Sequence, residues 1–253
     1  MPLVSDMHGK AALVTGAASG LGRATALALG GAGARLLIVD RDAAGLEQTA
    51  TQIADGGGEA VAHVADLTDP ARCTGAVAAA IDAFGRLDAL CNVAGVIVMA
   101  HAHEMAAADW DRTLAVNLSA PFHLIQAAIP HLLAVDGAVV NCASAAAFIG
   151  QAYSAAYGAS KAGLVNLTKA LAMEYAHQPI RFNAVAPGGM MTGMVANFAM
   201  PEGVDFSLFA RYTGLRGLVE VDDVADMIAF LASPAARGYH GAVITIDKGI
   251  TAG

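Results

Sequence analysis

Tyr157 and Lys161 stand four residues apart in the stretch "YGASK". On a helix that spacing places both on one face, about one turn or 5.4 Å apart. A free phenol titrates near pH ~10, too high for proton exchange near neutrality. A neighbouring ammonium stabilises the phenolate and lowers that value, so the pair has the makings of a general acid/base. Tyr153 is a second phenol in the same stretch, eight residues from Lys161. At ~1.5 Å per residue that is about 12 Å along a helix, too far to couple. Tyr153 is therefore expected one turn further out on the helix, as a wall of the substrate pocket together with Gln151. Ser144 lies thirteen residues before Tyr157, directly after the apolar run "GAVVNCA". A hydroxyl there sits at the carboxyl end of a strand, where open α/β sheets bind ligands. Asn117, in "LAVNLSAPF", falls inside a long apolar helical pattern and reads either as part of this constellation or as a polar residue at a local bend.

A second group of residues has the composition of an anion site. "TGAASGLG" places Gly16, Gly20 and Gly22, with Ser19 and Leu21 between them, where a first strand passes into a first helix. Glycines permit a tight turn and close approach of a diphosphate, and the helix start supplies unpaired N–H groups. Asp40 ends the second apolar run, about twenty residues further on, where an acid binds ribose hydroxyls and repels a 2′-phosphate. Arg41 is the one adjacent cation that could favour such a phosphate. The balance points to NAD, with NADP the weaker choice.

These residues need a scaffold that brings strand ends together. Apolar runs at 11–16, 34–40, 60–66, 87–95, 137–143, 180–186 and 242–247 alternate with helical patterns. The helices include one at roughly 107–133, one at 154–176 and one near 221–232, and Asp69 and Pro70 begin another as cap and first-turn residue. Such alternation predicts an α/β fold: a Rossmann-like doubly wound parallel sheet of about seven strands with helices on both faces. The nearly continuous apolar strands agree with a sheet covered on both sides. No linker splits the chain, so one domain over 1–253 is expected, with a substrate-binding loop segment at about 188–219.

The chain has 253 residues, of which 56% are hydrophobic and 14% charged, and its net charge is −8. That balance argues against nucleic acid or an anionic membrane surface as partner. The absence of a signal-like leader or a long apolar span leads to the expectation of a cytoplasmic protein. Cys73, Cys91 and Cys142 show no metal spacing and read as buried small side chains. His101, His103 and Glu104 match no ligand spacing, and no metal is expected. So apolar a chain is expected to hide surface in a homo-oligomer.

In their order along the chain, "TGAASGLG", Asp66 in "ADLTD", "NVAG" (92–95), Asn117, Ser144, "YGASK", "PGGMMT" (187–192) and "IDKG" resemble the short-chain dehydrogenase/reductase family over essentially the whole length. The resemblance implies that Tyr157 exchanges the proton, Ser144 orients the substrate oxygen, and Lys161 binds the nicotinamide ribose and lowers the Tyr157 pKa. It implies that Asn117 holds a relay water. Asp66 and Leu67 would meet the adenine. Asn92, Ala94 and Gly95 would run beside the cofactor, and Pro187, Gly188, Met190 and Thr192 would flank the nicotinamide. Val93 and Lys248 depart from the family pattern without touching this set.

The resemblance also makes 188–215 a lid, whose Met190, Met194, Phe198, Phe206, Phe209 and Tyr212 suit an adaptable apolar pocket. Arg211 and Arg216 either meet an acidic substrate group or remain solvated. The expected substrate is an apolar secondary alcohol or its ketone, hydroxysteroid-like, cyclic or aliphatic. A 3-oxoacyl carrier-protein reductase using NADPH is the near alternative, and a non-catalytic nucleotide-binding scaffold is the alternative of another class. A family tetramer, packed through helices 107–133 and 154–176, is the expected assembly.

Overall fold

The structure, a computed structural model, describes residues 6–191, 200–209, 212 and 216–252. Its strands are β1 (Ala11–Thr15), β2 (Arg35–Asp40), β3 (Glu59–Val64), β4 (Ala89–Asn92), β5 (Gly137–Cys142), β6 (Ile180–Pro187) and β7 (Val243–Ile246). The helices are α1 (Gly20–Gly31), α2 (Ala43–Asp55), α3 (Pro70–Phe84), α4 (Ala107–Leu114), α5 (Ala120–Leu133), α6 (Ala155–Glu174) and α7 (Val221–Ala232). The strands form one parallel sheet in the order β3-β2-β1-β4-β5-β6-β7. This is the doubly wound arrangement that the alternating pattern predicts.

Side chains alternate across the sheet and feed two cores. Ala12 and Val14 of β1 join Leu36, Ile38, Leu29 and Ile228 on the face covered by α1, α2 and α7. Ala11 and Leu13 join Leu37, Leu90, Val139 and Leu124 on the face covered by α3, α5 and α6. β1, β4 and β5 are buried along their whole length, as strands covered on both faces should be. β3 departs from that expectation. It is an edge strand, and its Val61 and Val64 are 40% and 53% exposed. An apolar run alone does not say which strand has neighbours on only one side.

The helix start at Asp69 and Pro70 is as expected: Asp69 accepts from the Ala71 N–H at 2.9 Å and Pro70 occupies the first turn. The expected single helix over 107–133 is instead interrupted. Between α4 and α5 lies a π-turn, Ala115–Ser119, in which the Ala120 N–H bonds back five residues to Ala115. Pro121 explains part of the irregularity, because its ring nitrogen has no hydrogen to give the Asn117 carbonyl four residues back. The wider turn places Asn117, fully buried, at the centre of the break. Among the described residues no helix is long and apolar enough to cross a membrane.

Candidate active site

A cavity of about 1000 Å³ opens over the carboxyl ends of the strands. It lies where the strand order turns from β1 to β4, the crevice in which such sheets hold ligands. Gly16 follows β1, Asp40 ends β2, Ala94 and Gly95 follow β4, Ser144 follows β5 and Pro187 ends β6, and all of them line it.

At one end the β1–α1 turn forms a cradle. Gly16 has φ +71°, and a Cβ added there would come 2.8 Å from the Ala94 Cα. At Gly22 an added Cβ would meet the Gly16 carbonyl oxygen at 2.0 Å. Thr15 fixes the opposite wall, its hydroxyl accepting from the Val93 and Ala94 N–H groups at 3.0 and 3.1 Å. Ser19 enters α1 in extended conformation and makes no side-chain cap, so the first-turn N–H groups face the cavity uncapped. Gly20, Leu21 and Ser19 also line it. A backbone cradle that no side chain fills, at a helix start, fits a diphosphate.

Beside the cradle, the Asp40 carboxylate is held by the Ala18 N–H at 3.2 Å and the Asp42 N–H at 3.1 Å. Arg23, the nearest helix cation, is committed elsewhere: it donates to Thr49 at 2.9 Å and to the carbonyls of Ala18 and Gly45. Arg41 is exposed on the cavity rim. Asp66 and Leu67 line the same end. The Thr68 N–H and hydroxyl hold the Asp66 carboxyl below its ordinary range, with the charge of Arg41 adding to the effect.

At the other end, Ser144 and Tyr157 face each other across the floor. Ser144 caps a short 3-10 turn, Ala145–Ala147, by accepting from the Ala146 N–H at 3.2 Å. Tyr157 and Lys161 share a face of α6, as their spacing predicts, and both line the cavity. Lys161 is buried, and its ammonium donates to the Cys142 carbonyl at 2.7 Å. Burial pushes its pKa down, against the pull of neighbouring Cys142. Burial also pushes the Tyr157 phenol up to about 12, with the Ser144 hydroxyl opposing the rise. Beside the lowering expected from Lys161, burial is the larger effect on the phenol here. The ammonium sits 5.7 Å from the Tyr157 ring centroid and is turned to a carbonyl, so desolvation outweighs it.

Three expected site residues stand off the cavity wall. Asn92 turns inward, donating to Asn141 Oδ1 at 2.8 Å, and Asn141 continues to Thr168 at 2.9 Å, a buried polar seam from β4 to α6. Its own Oδ1 has no partner among the described residues. The Asn117 side chain spans two elements: Oδ1 accepts from the Val96 N–H at 2.8 Å, and Nδ2 donates to the Val96 carbonyl at 2.9 Å and to Ser160 at 3.0 Å. With both amide hydrogens used, that side chain is a brace rather than a donor to a relay water. Tyr153 precedes α6 in left-handed conformation, φ +63°, not on the helix at all. Its hydroxyl accepts from the Asp205 N–H at 2.9 Å and its ring stacks on Phe209 at 5.8 Å. Gln151, Gly188 and Met190 are on the cavity wall as expected, whereas Thr192, Met194, Phe198 and Arg211 lie outside the described residues.

Other wall residues were not singled out by motif. Ile97 and Met99, from the loop after β4, and Ala146 and Ile149 supply apolar surface, and Ile250 approaches from the far end of the chain. Phe209 and Tyr212 close the cavity from the lid segment. Both belong to the segment that the family resemblance makes a lid. His101 is tied to the same segment, its Nε2 lying 2.8 Å from the Glu202 carbonyl.

Comparison with known proteins agrees with this geometry. A family model described as enoyl-(acyl carrier protein) reductase matches residues 16–251. D-threitol dehydrogenase of Mycolicibacterium smegmatis is 39% identical over 249 residues, covering 97% of this chain and 94% of the relative. Cis-4-hydroxycyclohexanecarboxylate dehydrogenase of Sinomonas cyclohexanicum is 39% identical, covering 96% of this chain and 97% of the relative. A solved structure from Agrobacterium tumefaciens with bound NADP is 37% identical, with a TM-score of 0.86 over 100% of this chain and 99% of that one.

Proposed function

This chain belongs to the short-chain dehydrogenase/reductase family, and from that premise we propose that it interconverts a small secondary alcohol and its ketone, with NAD as the preferred cofactor. The observation that carries the reading is the half-buried Tyr157 phenol facing Ser144 beneath a cavity whose other end is an open glycine cradle.

The nicotinamide supplies the hydride chemistry when bound, and the protein supplies position and the proton path. Gly16, Ser19, Gly20, Leu21 and Gly22 would hold the diphosphate. Asp40 would take the adenine-side ribose, with Asp66, Leu67, Ala94 and Gly95 around the base. Lys161, Pro187, Gly188 and Met190 would hold the nicotinamide end. Ser144 fixes the substrate oxygen against Tyr157. In ketone reduction the Tyr157 O–H donates its proton to the carbonyl oxygen as the carbonyl carbon accepts hydride; in alcohol oxidation the phenolate takes the carbinol proton. Because both hydrogens of the Asn117 side-chain amide are used, a relay water there would be held by its main-chain carbonyl.

Support for NAD comes from charge. The Asp40 carboxylate is fixed at the end of β2, and Arg23 is withdrawn into bonds with α2 and the glycine turn. Arg41, exposed beside Asp66, favours a second reading in which NADP is also accepted, as the NADP-bound relative illustrates. The test is kcat/KM with each cofactor on a panel of secondary alcohols, alongside Tyr157→Phe. We expect at least tenfold preference for NAD, and loss of turnover with retained cofactor binding in the variant. Preference for NADP overturns the cofactor reading, and substantial kcat in Tyr157→Phe overturns the mechanism.

We also propose a homo-oligomer. Trp110, Phe122 and Met173, on α4, α5 and α6, are 39%, 41% and 76% exposed, so each of the expected packing helices carries an exposed large apolar side chain.

A further inference from the structure

The substrate end of the cavity is walled by three segments near Ser144 and Tyr157: the loop after β4, residues 145–151, and the lid. The first contributes Ile97 and Met99, the second Ala146 and Ile149, and the lid Phe209 and Tyr212. Among the wall residues from these segments, the one polar side chain without a hydrogen-bond partner among the described residues is Gln151. It is half-buried, with one carbonyl acceptor and two amide hydrogens to satisfy.

The backbone around Gln151 is held on both sides. The Tyr212 hydroxyl donates to the Gly150 carbonyl at 2.6 Å and accepts from the Ala152 N–H at 2.7 Å. Ser154 donates to the Gln151 carbonyl itself at 3.1 Å. Two residues on, the Tyr153 carbonyl accepts from the Ala100 N–H at 2.8 Å, tying the strip to the loop after β4. With the backbone held on both sides, the point at which the Gln151 side chain leaves the wall is fixed, and only its own rotamers remain to be ordered when a ligand binds.

We propose that Gln151 is a specificity-determining residue that binds a second oxygen of the substrate, so that the enzyme selects diols and hydroxyketones over simple alcohols, and that Tyr212 is the residue that positions it. This rests on the alcohol–ketone reading above and narrows its substrate class. The reasoning is asymmetric desolvation. A substrate whose second hydroxyl meets the amide leaves nothing unpaired. A substrate with a bare methylene there strands the amide in an apolar wall, and a site built to hydrogen-bond a hydroxyl discriminates strongly against an analogue lacking it. Among the described wall residues of these segments none is a cation, so a neutral second group is the one tested.

The experiment compares kcat/KM for cis-cyclohexane-1,2-diol and cyclohexanol in the wild type, Gln151→Leu and Tyr212→Phe. The wild type should favour the diol by tenfold or more. Gln151→Leu should lower the diol-to-cyclohexanol ratio at least tenfold. Tyr212→Phe should lower the same ratio through KM for the diol, with kcat moving less, whereas a merely structural role would move both substrates together. Equal losses on both substrates in Gln151→Leu, or an unchanged ratio, overturn the inference and leave the alcohol–ketone reading standing. A wild type that binds NAD and oxidises neither compound overturns both.

Discussion

Gly22→Ala is the substitution whose consequence the structure states most directly. Gly22 lies in the first turn of α1, and an added Cβ would stand 2.0 Å from the Gly16 carbonyl oxygen and 2.4 Å from its carbon. Ordinary contact begins near ~3.5 Å, so the turn and the helix must separate by more than about 1 Å. Both sides are backbone, and neither can rotate away. Alanine gains about 1 kcal/mol of helix propensity, against which overpacking costs about 1–3 kcal/mol. The net effect on folding is about 0–2 kcal/mol, or up to roughly 8 °C in Tm for a chain of this size. Cofactor binding should suffer more, because the separated elements both supply N–H groups to the cradle. Losing one hydrogen bond to a charged oxygen costs about 1.5–3 kcal/mol, which is at least about tenfold in Kd. Gly31→Ala is the control on the same helix: nothing lies within 4 Å of its added Cβ. It should leave Kd unchanged and hold or raise Tm. Calorimetric titration with NAD and thermal unfolding of both variants test this. Wild-type affinity in Gly22→Ala would refute the role given to the close approach.

Because burial pushes Tyr157 up to about 12, the phenol stays protonated through neutral pH and its ionised fraction grows as pH rises. kcat/KM for alcohol oxidation should therefore climb from pH 7 to 10 without a plateau; a plateau from pH 7 would show that the Lys161 charge outweighs desolvation. Ser144→Ala removes the group that opposes the rise and should lower oxidation further at every pH in that range. Tyr153→Phe removes only the acceptor for the Asp205 N–H, so stability should fall by about 0.5–1.5 kcal/mol and KM should shift with kcat retained; loss of kcat would place Tyr153 in the chemistry. Sedimentation should show a tetramer, and a 25.5 kDa species at working concentration would overturn the oligomer.

The parallel sheet and the Ser144, Tyr157 and Lys161 group are legible in the sequence because apolar runs and helical spacing are local signals. What the sequence hides depends on long-range partners. Asn92 belongs to a motif that runs beside the cavity, yet its amide is claimed by Asn141, forty-nine residues away. Tyr153 continues the helical spacing of Tyr157 and Lys161, but α6 begins only at Ala155, and contacts to the lid and to Ala100 hold Tyr153 in a left-handed turn. The clamp of Tyr212 on either side of Gln151 joins residues about sixty apart and leaves no periodic trace. The exposure of β3 follows from its edge position, which its apolar composition does not encode.

The three cysteines have a use that none of this chemistry needs. Cys73 on α3, Cys91 on β4 and Cys142 on β5 are all buried and unbridged. Burial pushes the first up to about 11 and the second to about 12, and it raises the third as well. A thiol that is neither ionised nor accessible reacts with a disulfide reagent only after the surrounding structure opens. Labelling rates at Cys73 and Cys91 would thus time the opening of an outer helix and of a central strand separately, with Cys142, on the cavity wall, as the reference for access through the site, giving the protein an intrinsic stopwatch for its own unfolding.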